Sequence, residues 1–437
     1  MEKQAKYIAE KLSEHGYEAV FAGGWVRDKL IGVESHDIDI ATDATPEQVQ
    51  AIFDRSVPVG ISFGVVRIIV DDIEFEVATY RKDSKSSDGR RPDSVEFCSM
   101  YEDAMRRDFT INGMYYSPKM LKVFDFVGGR EDLKKGLIRF IGNPDERIEE
   151  DKLRMLRCVR FGARFGTIEK ETLEAVKRHA HEIYTVSAER IHEELVKMLK
   201  VGKPTKVIEL LFDTGLMHEI LPEFEILRDT VQDKQWHPEG NVDRHTVMVM
   251  EALVGEPIEL QLAGMFHDIG KPEVTEIEGE RVSSKGHAKA GSKITREIMK
   301  RMKFSNDMIE AVAELVYDHM KMITVTEMKK SSQKRFFAQD NFDMLFKLHK
   351  ADRMGGCNRT ETVDAVNALL EEYSKESIKP KPFIDGRDII DLGIKQGREI
   401  GRLKEMFYDM QLEGDFENRE QAFEYARKFI NESESFK

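Results

Sequence analysis

Two aspartates one residue apart, Asp37 and Asp39, carry the most specific chemical signal in the sequence. Apolar residues flank them, so they suit a strand, in which residues i and i+2 point to the same face. Two carboxylates on one face can hold Mg²⁺, which prefers one or two carboxylates together with substrate phosphates. Upstream, Gly23 and Gly24 allow the backbone to approach a phosphate closely, and Arg27 offers a forked donor. Solvated aspartates on an edge strand show the same spacing, but the combination favours metal-assisted phosphoryl or nucleotidyl transfer.

Further polar residues downstream can serve such a reaction. Glu76 alternates with apolar residues in IEFEVATYR, and a neighbouring strand can bring this third carboxylate beside the two aspartates. Arg106 and Arg107 are adjacent cations that can bind a triphosphate. Asp108 and Asn112 are four residues apart on a predicted helix and can bond a ribose hydroxyl. Ordinary charges at a helix start are the alternative interpretation of this group.

A carboxylate and a guanidinium, Asp151 and Arg154, are spaced to share one helix face. The carboxylate can accept from an amino group, and the guanidinium can donate to a ring nitrogen. Cytosine and adenine present both groups side by side, whereas uracil and guanine present a carbonyl beside a donor N–H. The pair therefore predicts selection of C and A, because mismatched buried polar groups go unpaired. An ion pair without a ligand is the alternative.

Arginines recur every three or four residues in LRMLRCVRFGARFG, at Arg154, Arg157, Arg160 and Arg164. This spacing aligns them along one stripe of a helix. The stripe is either a face that binds phosphate or a solvated, ion-paired face, and the sequence leaves both interpretations open.

A second group of residues that can do chemistry lies in the middle of the chain. Its members are histidines and aspartates on predicted helices: His245, His267, Asp268, His287, His319 and Asp352. Residues spread in this way can converge on a metal ion. The adjacent pair His267 and Asp268 is flanked by apolar residues, and its burial costs free energy unless a partner is present. The sequence therefore predicts a second centre that holds a divalent metal of unknown identity.

The elements that position these residues are mixed up to about residue 142 and helical afterwards. We predict an N-terminal amphipathic helix, a helix in ATPEQVQAIFD with Thr45 as cap and Pro46 at its first position, and a hairpin formed by FGVVRIIV and IEFEVATYR. A helix near 102–114 and a strand pair near 122–126 and 138–141 complete the mixed part. The polar stretch 82–93 predicts a mobile loop.

From residue 143 the pattern is helical and continues to about Tyr373, with a linker and turn at 236–241. Residues 213–215 and the Leu221-Pro222 step mark helix ends. A proline-containing linker at 374–383 precedes a small helical tail. The predicted domains are therefore 1–142, 143–230, 236–373 and 380–437.

Length and composition limit the classes of protein. A chain of 437 residues is expected to form roughly two to four domains. The net charge of −14 argues against general affinity for nucleic acid, although it permits a local basic face. The three cysteines lie far apart, which fits a reducing compartment and gives no cysteine-based zinc site. Without a signal segment or an apolar run of membrane-spanning length, we expect a cytoplasmic protein with no membrane partner.

The motifs stand in an order that resembles the class II tRNA nucleotidyltransferase family, the CCA-adding enzymes and their poly(A) polymerase relatives. They are GGWVRDKLIG, HDIDIATDATPEQV, EVATYRKD, RRPDSVEF, RRDFTING, EEDKLRMLRCVRF and SAERIHEEL, and IDGRDIIDLGIKQGREIGRL is similar to the family's tail. The resemblance implies an α+β fold class: a polymerase-β-like head with a small mixed sheet, followed by all-α neck, HD and tail domains.

The resemblance also implies roles for single residues. Asp37 and Asp39 would be the catalytic ligands of Mg²⁺, with Glu76 as a supporting carboxylate. The residues that would bind the nucleotide are Gly23, Gly24, Arg27, Arg106, Arg107, Asp108, Asn112, Glu150, Asp151, Arg154, Arg157 and Arg160. Among them, Glu150 and Arg157 would orient the base-reading pair, and the segment 187–190 would brace the neck. Gly113, Trp25 and Gln396 depart from the family's usual Ala, small residue and Pro.

The middle region resembles the HD metal-dependent phosphohydrolase superfamily. By this resemblance, His245, His267, Asp268 and Asp352 would bind one metal, and His287 and His319 would add a second metal or a phosphate contact. Such domains are fused to some members of the nucleotidyltransferase family, with phosphatase or 2′,3′-cyclic phosphodiesterase activity.

The expected function is the template-independent addition of CCA to the 3′ end of tRNA from CTP and ATP. A CC-adding enzyme, an A-adding enzyme and a poly(A) polymerase are close alternatives. A protein that acts chiefly as an HD phosphohydrolase, with an RNA-binding head, is a more distant one. The sequence leaves the oligomeric state open.

Overall fold

The computed structural model describes residues 1–35, 37–60, 63–83, 95–279, 281–356, 360–373 and 378–432. Its contacts divide the chain into two compact units. The first contains Met1–Ile226 with Ile298–Phe304, and the second contains Leu227–Glu297 with Ser305–Lys437. The finer division into four domains stays a prediction.

The first unit begins with a mixed sheet, as predicted for the head. Its strands are β1 Ala19–Ala22, β2 Asp39–Thr42, β3 Ser56–Gly60, β4 Val65–Val70, β5 Ile73–Thr79, β6 Arg81–Asp83, β7 Val95–Phe97, β8 Met114–Ser117 and β9 Lys122–Asp125. Within the described residues, seven of them form a sheet in the order β3-β4-β5-β2-β1-β8-β9, and β6 pairs with β7. β2 and β5 run parallel, whereas the other neighbours in this sheet are antiparallel.

Five helices in the described part of the head accompany the sheet. They are α1 Glu2–Glu14, α2 Gly24–Leu30, α3 Pro46–Ile52, α4 Met100–Met105 and α5 Gly129–Lys135. The buried face of α1, which includes Ile8 and Leu12, joins a core with Phe21 of β1 and Val77 of β5. This core holds the strands that carry the carboxylates.

Local chemistry explains two elements that the sequence predicted correctly. Thr45 caps α3, and it forms a reciprocal capping box with Gln48, while Pro46 occupies the first turn. The hairpin of β4 and β5 turns at Asp71 and Asp72, whose φ angles are 49° and 60°. Two residues of positive φ between antiparallel strands match the twist of a tight hairpin, and Asp tolerates this conformation.

Two predictions about the head are wrong. The expected helix near 102–114 ends at Met105, a 3₁₀ turn covers Thr110–Asn112, and β8 follows at once. The chain is extended at Phe109, which is fully buried and forms a bridge with Phe140, so tertiary packing overrides the helical pattern. The expected strand pair 122–126 and 138–141 does not form, because β9 pairs with β8.

The remainder of the first unit is helical, as predicted. In chain order it contains β10 Leu137–Ile138, α6 Pro144–Glu150, α7 Arg154–Phe165, β11 Thr167–Ile168, α8 Lys170–His179, α9 Ala188–Leu199, α10 Pro204–Asp213, α11 Leu216–Ile220 and α12 Pro222–Glu225. The short β10 pairs in parallel with β11. Helix ends occur at Asp213 and Pro222, near the predicted breaks.

The second unit is also mainly helical. Its elements are α13 Val242–Ala252, α14 Ile258–Phe266, α15 Lys271–Val274, β12 Glu276–Glu278, β13 Arg281–Ser283, α16 His287–Arg301, α17 Asn306–Asp318, α18 Lys330–Phe337, α19 Phe342–Gly355, α20 Glu361–Glu372, α21 Gly386–Asp391, α22 Arg398–Glu413 and α23 Arg419–Glu432. The hairpin of β12 and β13 interrupts a stretch predicted as wholly helical. The C-terminal part of α16 is grouped with the first unit.

Several predicted segments fall outside the described residues. They are most of the predicted mobile loop, at 84–93, the first part of the linker, at 374–377, and the chain end, at 433–437. Gln396 lies just before α22, which begins after Gly397. Among the described helices, none is long and apolar enough to cross a bilayer. An α+β head followed by helical regions confirms the predicted fold class.

Candidate functional sites

The pairing of β2 with β5 brings Asp39 and Glu76 together, while Asp37 lies two residues before β2 instead of on the predicted strand. Asp39 opens β2, and the parallel register Ile40↔Val77 places it next to Glu76 on β5. Desolvation raises the pKa of Asp39 to about 6, and the negative charges of Asp37 and Glu76 add to this rise, while Arg107 opposes it. A carboxylate held among other carboxylates favours a bound cation, so the donor set fits Mg²⁺.

Gly23 lies directly beside this acidic group. Its φ of 64° is in the left-handed region, and a Cβ there would come within 3.1 Å of Arg107 Nη1 and 3.9 Å of Asp39 Oδ2. Glycine is therefore required both by the backbone conformation and by the close approach. The next residue, Gly24, begins α2. The predicted glycine turn thus faces the carboxylates and an arginine.

Arg27 is buried and bonded within the protein. Its guanidinium donates to Asp28 at 2.9 and 3.0 Å and to Asn112 Oδ1 at 2.6 Å. It also lies over the rings of Phe161 and Phe165, at 5.4 and 4.7 Å. Arg27 therefore holds the Asn112 side chain and anchors α2 through contacts within the protein. These contacts do not require a bound phosphate.

Arg106 and Arg107 share one carboxylate that the sequence analysis missed. Asp103 accepts from Arg106 at 2.7 and 2.9 Å, from Arg107 at 3.2 and 3.3 Å, and from the Tyr115 hydroxyl at 2.6 Å. Burial alone would raise the pKa of Asp103, but Arg107 and Arg106 hold it below its ordinary value. The signal for this role was its position three and four residues before the two arginines, since i, i+3 and i, i+4 neighbours meet on a helix.

A side-chain hydrogen bond joins Asp108 and Asn112, although the two residues do not lie on one helix as predicted. Asn112 Nδ2 donates to Asp108 Oδ1 at 3.1 Å, and Arg157 donates to Asp108 Oδ2 at 2.5 and 2.8 Å. Burial would raise the pKa of Asp108, but Arg157 and Arg154 lower it to about 2. A continuous chain of hydrogen bonds therefore runs from Arg27 through Asn112 and Asp108 to Arg157, which fixes the predicted ribose-binding groups.

The predicted base-reading pair does not share a helix face. Asp151 has extended backbone between α6 and α7, and Arg154 is the first residue of α7. The Asp151 carboxylate accepts from the Leu153 N–H at 3.1 Å and from Arg190 at 2.7 Å, and these contacts replace the helical geometry. A backbone bond of 3.0 Å from Arg154 N to Asp151 O still keeps the two residues adjacent.

Neighbouring side chains hold both members of this pair, although Arg157, which was expected to help orient them, bonds Asp108 instead. Glu150 Oε2 accepts from Arg154 Nη1 at 2.6 Å, and the carbonyl of Arg147 accepts from the same atom at 2.9 Å. Arg190 belongs to the segment expected to brace the neck, and it holds Asp151 in place. Both members of the pair are thus oriented by protein groups.

The arginine stripe of α7 is ion-paired with other elements. Arg157 bonds Asp108, Arg160 Nε donates to Glu194 at 2.7 Å, and Arg164 Nη2 donates to Asp28 at 3.3 Å. Glu194 is fully buried. These three arginines are therefore ion-paired, which is one of the two interpretations that the sequence left open. Their partners are buried or half-buried carboxylates, so the ion pairs do not form a solvated face.

The second group converges in the second unit as predicted. His245 Nε2 lies 2.9 Å from Asp352 Oδ1 and 3.8 Å from Asp268 Oδ2. His267 Nε2 lies 3.3 Å from Asp268 Oδ2 and 4.0 Å from Asp352 Oδ1. These four residues come from α13, the end of α14 and α19, and they surround a single position.

Two more histidines face the other oxygen of Asp268. His287 Nε2 is 3.3 Å from Asp268 Oδ1 and 3.1 Å from His319 Nε2. Each of these rings places Nδ1 on a backbone carbonyl, that of Ser284 at 2.8 Å and that of Val316 at 2.6 Å. Because Nδ1 then carries the proton, two Nε2 lone pairs point at each other, and a cation between them would remove the repulsion.

The His267 ring is oriented by a backbone carbonyl in the same way as the rings of His287 and His319. Its Nδ1 is 2.9 Å from the Gly264 carbonyl, and its buried Nε2 has no hydrogen-bond partner among the described residues. Burial, together with His267 and His287, lowers the pKa of His319 to about 3, so its ring is neutral. A neutral imidazole with an oriented Nε2 atom fits a divalent metal ion, and groups of three histidine and carboxylate donors lie close together.

Two supporting residues of this centre were not among the predicted ligands. Glu239 Oε1 lies 2.8 Å from His245 Nδ1 and 2.9 Å from His237 Nδ1. A carboxylate behind a metal-binding histidine fixes its ring and increases its basicity. Lys271 Nζ lies 2.6 Å from Asp268 Oδ2 and 2.5 Å from Gln232 Oε1. Glu239 could have been suspected from its place six residues before His245, but only the fold brings Gln232 near.

Comparison with known proteins places three domains on this chain. Residues 19–139 match the poly A polymerase head domain, residues 167–227 match the probable RNA and SrmB-binding site of polymerase A, and residues 242–345 match the HD domain. The last match includes every predicted metal ligand of the second centre except Asp352.

Similar curated proteins carry the name CCA-adding enzyme. One from Ligilactobacillus salivarius is 44% identical over 216 residues, which cover 49% of this chain and 53% of that protein. One from Bacillus pumilus is 42% identical over 228 residues, which cover 52% and 56%. The chain thus spans about half the length of the curated relatives it matches.

Solved structures extend the similarity to the whole chain. The CCA-adding enzyme of Bacillus stearothermophilus in complex with CTP has a TM-score of 0.75 and 25% identity, and the match covers 98% of this chain and 97% of the other. The Thermotoga maritima CCA-adding enzyme complexed with tRNA shares the fold, with a TM-score of 0.62 at 20% identity over 98% and 95% of the chains. Residues 19–139 of this chain therefore form a poly A polymerase head domain, the chain also carries an HD domain, and its fold is that of the CCA-adding enzymes.

Proposed function

We propose that the protein adds C, C and A to the 3′ end of tRNA from CTP and ATP, without a nucleic-acid template. The observation that carries this proposal is the convergence of Asp37, Asp39 and Glu76 beside the Gly23 turn and Arg107. Similar proteins named CCA-adding enzymes, including one in complex with CTP and one with ATP, support the choice of substrates. With tRNA as its substrate, we expect the enzyme to act in the cytoplasm.

In this proposal the carboxylates act through a metal ion. Asp37 and Asp39 would hold Mg²⁺ and Glu76 would support them. Bound there, Mg²⁺ would lower the pKa of the attacking 3′ hydroxyl and would neutralise charge on the leaving pyrophosphate. Gly23 lets the backbone approach the phosphates, and Arg106 and Arg107 hold the triphosphate in the direction that Asp103 sets. These groups orient the α-phosphate for in-line attack.

The remaining residues bind the sugar and the base. Asp108 and Asn112 are held by Arg157 and Arg27 and would bond the ribose. Asp151 would accept from the amino group of cytosine or adenine, and Arg154 would donate to the neighbouring ring nitrogen. Because Arg190 and Glu150 fix this pair, it would distinguish bases by leaving the wrong ones unpaired.

The test uses a tRNA that lacks its 3′ end, supplied with each nucleoside triphosphate alone and with CTP and ATP together. Sequencing should show CCA and no further nucleotides. Products that stop after CC, addition of a single A, or long A tails would establish one of the partial enzymes or a poly(A) polymerase instead. Equal use of UTP and GTP would contradict base reading by Asp151 and Arg154.

A matched pair of variants tests the acidic site. Asp39→Asn should abolish nucleotide addition, since the metal loses a charged ligand. Glu74→Gln provides the control, because Glu74 lies on the same strand and face as Glu76 but outside the group of three carboxylates. Arg67 lies 3.1 Å from Glu74 and 3.7 Å from Glu76. Unchanged addition by Asp37→Ala and Asp39→Ala, with all function lost in His267→Ala, would establish the rival in which the head only binds RNA.

We further propose that the HD domain is a metal-dependent phosphohydrolase. The facing Nε2 atoms of His287 and His319, and the two sets of donors that share Asp268, support a site for two divalent metals. Hydrolysis of bis(p-nitrophenyl) phosphate across a series of divalent metals tests this activity. His267→Ala should abolish it and retain nucleotide addition, whereas Asp39→Asn should do the reverse.

A further inference from the structure

Arg147 of α6 has a largely buried side chain that the proposed mechanism does not use. Only 14% of this side chain is exposed. Its guanidinium places Nη2 at 2.5 Å from Glu150 Oε1, and Nη1 donates to the carbonyl of Met105 at 3.3 Å. One side chain thus joins the base-reading region to the end of α4, which immediately precedes the two triphosphate arginines.

Glu150 divides its carboxylate between two guanidiniums. Oε1 pairs with Arg147, and Oε2 accepts from Arg154 at 2.6 Å. The Glu150 side chain is 40% exposed, so with a single partner it could turn toward water. A cation on each oxygen holds the carboxylate in one orientation, and Arg154 is bonded to it in that orientation.

Arg154 depends on these neighbours for the direction of its own guanidinium. Nη1 donates to Glu150 and to the Arg147 carbonyl, at 2.6 and 2.9 Å. Nη2 donates to the Arg106 carbonyl at 3.3 Å. These bonds fix the plane of the guanidinium, because its N–H groups form a rigid fork. No described residue accepts a hydrogen bond from Nε, so this N–H is available to the ring nitrogen of a base.

The same two guanidiniums bond consecutive carbonyls at the end of α4. Met105 is the last residue of this helix, and Arg106 is its cap. The last carbonyls of a helix have no partner within the helix, and arginine side chains can satisfy them. These contacts therefore attach the base reader to the backbone from which the two triphosphate arginines project.

Selection between bases requires that Arg154 cannot turn away. Uracil and guanine present a donor N–H where cytosine and adenine present a ring nitrogen, so they meet the guanidinium donor to donor. A rigid guanidinium leaves both donors unpaired and rejects the base, whereas a guanidinium that moves aside tolerates it. If Glu150 lost its second cation, it could move together with Arg154, and the mismatched base would be accepted.

We infer that Arg147 is a positioning residue for base selection, which acts through Glu150 to keep Arg154 rigid. The inference rests on the proposed function and deepens it, because it names a residue outside the base-reading pair that sets the accuracy of nucleotide addition. Arg147 itself needs no contact with the nucleotide.

Addition of one nucleotide to a truncated tRNA measures this accuracy. kcat/KM is determined with CTP and with UTP for the full-length protein, and thermal unfolding of the same samples reports stability. Arg147→Ala should lower the ratio of the CTP value to the UTP value by about tenfold or more, mainly by increasing the use of UTP. Arg147→Lys restores a charge beside Glu150 and should recover most of the ratio, although one ammonium cannot reproduce the guanidinium fork.

Arg178→Ala is the matched control for the loss of charge. Arg178 donates to Asp145 of α6 at 2.7 and 2.8 Å, so this change also removes a cation and an ion pair from the same helix. Because both partners are exposed and lie at the other end of α6, the ratio should change less than about twofold.

A double-mutant cycle tests the path from Arg147 to Arg154. If Arg147 acts through Glu150, combining Arg147→Ala with Glu150→Gln should lower the ratio no further than Glu150→Gln alone. A further fall in the double variant would show that Arg147 acts independently of Glu150 and would overturn the inference.

Other results would overturn the inference as well. They are an unchanged ratio in Arg147→Ala, an equal fall in Arg178→Ala, and equal losses with CTP and UTP, which would show that Arg147 only stabilises the fold. The proposed function fails in a different observation, the product made by the original protein. If this product is an A tail, the same ratio is measured with ATP and GTP and still tests Arg147. Equal use of all four nucleotides by the original protein would reject base reading and the inference together.

Discussion

Replacement of Asp103 by Asn should disable the two arginines that are expected to hold the triphosphate. The carboxylate is 1% exposed and accepts from Arg106, Arg107 and the Tyr115 hydroxyl. Asn has nearly the same shape, but it offers one acceptor oxygen and turns an N–H₂ group toward cations. The change therefore removes the charge and keeps the volume.

The structure sets the magnitude of this change. Removing one partner of a buried ion pair costs about 3–5 kcal/mol. The side chains of Arg106 and Arg107 are 21% and 20% exposed, so water recovers part of this loss. We therefore expect a loss near the lower limit, about 3 kcal/mol of unfolding free energy. For a unit of roughly 230 residues, this lowers Tm by about 6–12 °C, and the protein stays folded at 25 °C.

Asp103→Asn should weaken nucleotide binding and also lower the stability of the protein. A hydrogen bond to a charged group contributes about 1.5–3 kcal/mol, so arginines that lose their orientation should raise the KM for CTP and for ATP by about 10–100-fold. The assay measures initial rates of C addition to a truncated tRNA at 25 °C over a range of CTP. Thermal unfolding of the same samples reports stability, and Asp103→Glu shows whether charge alone restores KM.

Glu102→Gln serves as the control on the same helix. Glu102 is exposed and accepts from the Ser99 N–H at 3.0 Å in a capping box, so this change should cost less than about 1 kcal/mol and leave KM unchanged. If Asp103→Asn lowers Tm but keeps the KM for both nucleotides, Asp103 stabilises the fold without positioning the triphosphate. If it changes neither value, the argument from buried charge is refuted.

Three further changes test other parts of the molecule. Gly113→Ala should destabilise the protein by about 1–3 kcal/mol in urea unfolding, because the added Cβ would lie 2.8 Å from the side chain of Ile141. Glu239→Gln should weaken Mn²⁺ binding about 10–100-fold by calorimetry, since a weaker acceptor orients the metal-binding ring behind it. Asp108→Asn should be less stable than the original at pH 5. Its deficit should shrink by about 2 kcal/mol as the pH falls to 2.

The sign of the last prediction follows from the pKa. Arg157 and Arg154 overcome burial and lower the pKa of Asp108 to about 2, below its unfolded value. The stabilisation is therefore present above the unfolded pKa and is lost as the pH falls through about 2. A deficit that does not depend on pH would contradict this reasoning. Likewise, a more stable Gly113→Ala or an unchanged metal affinity in Glu239→Gln would refute the packing and orientation arguments.

Short-range features of the fold were predictable because their causes are local. The α3 helix begins where Thr45 and Pro46 place it, and the β4–β5 hairpin turns at Asp71 and Asp72. Apolar periodicity also distinguished the mixed head from the helical remainder. By contrast, the segment after Met105 leaves the helix because Phe109 packs against Phe140, and no local signal reports that contact.

The sequence by itself determined which residue types are available for chemistry: paired aspartates, a glycine turn, adjacent arginines and a series of histidines and aspartates. Only the tertiary structure decided which of these residues lie next to one another. It placed Glu76 beside Asp39 through a parallel strand pairing and paired the two adjacent arginines with Asp103. It also turned the Nε2 atoms of His287 and His319 toward each other. The physical reason is that composition and spacing fix which chemical groups are present and which local backbone conformations are preferred. Contacts between distant segments depend instead on how the whole core packs.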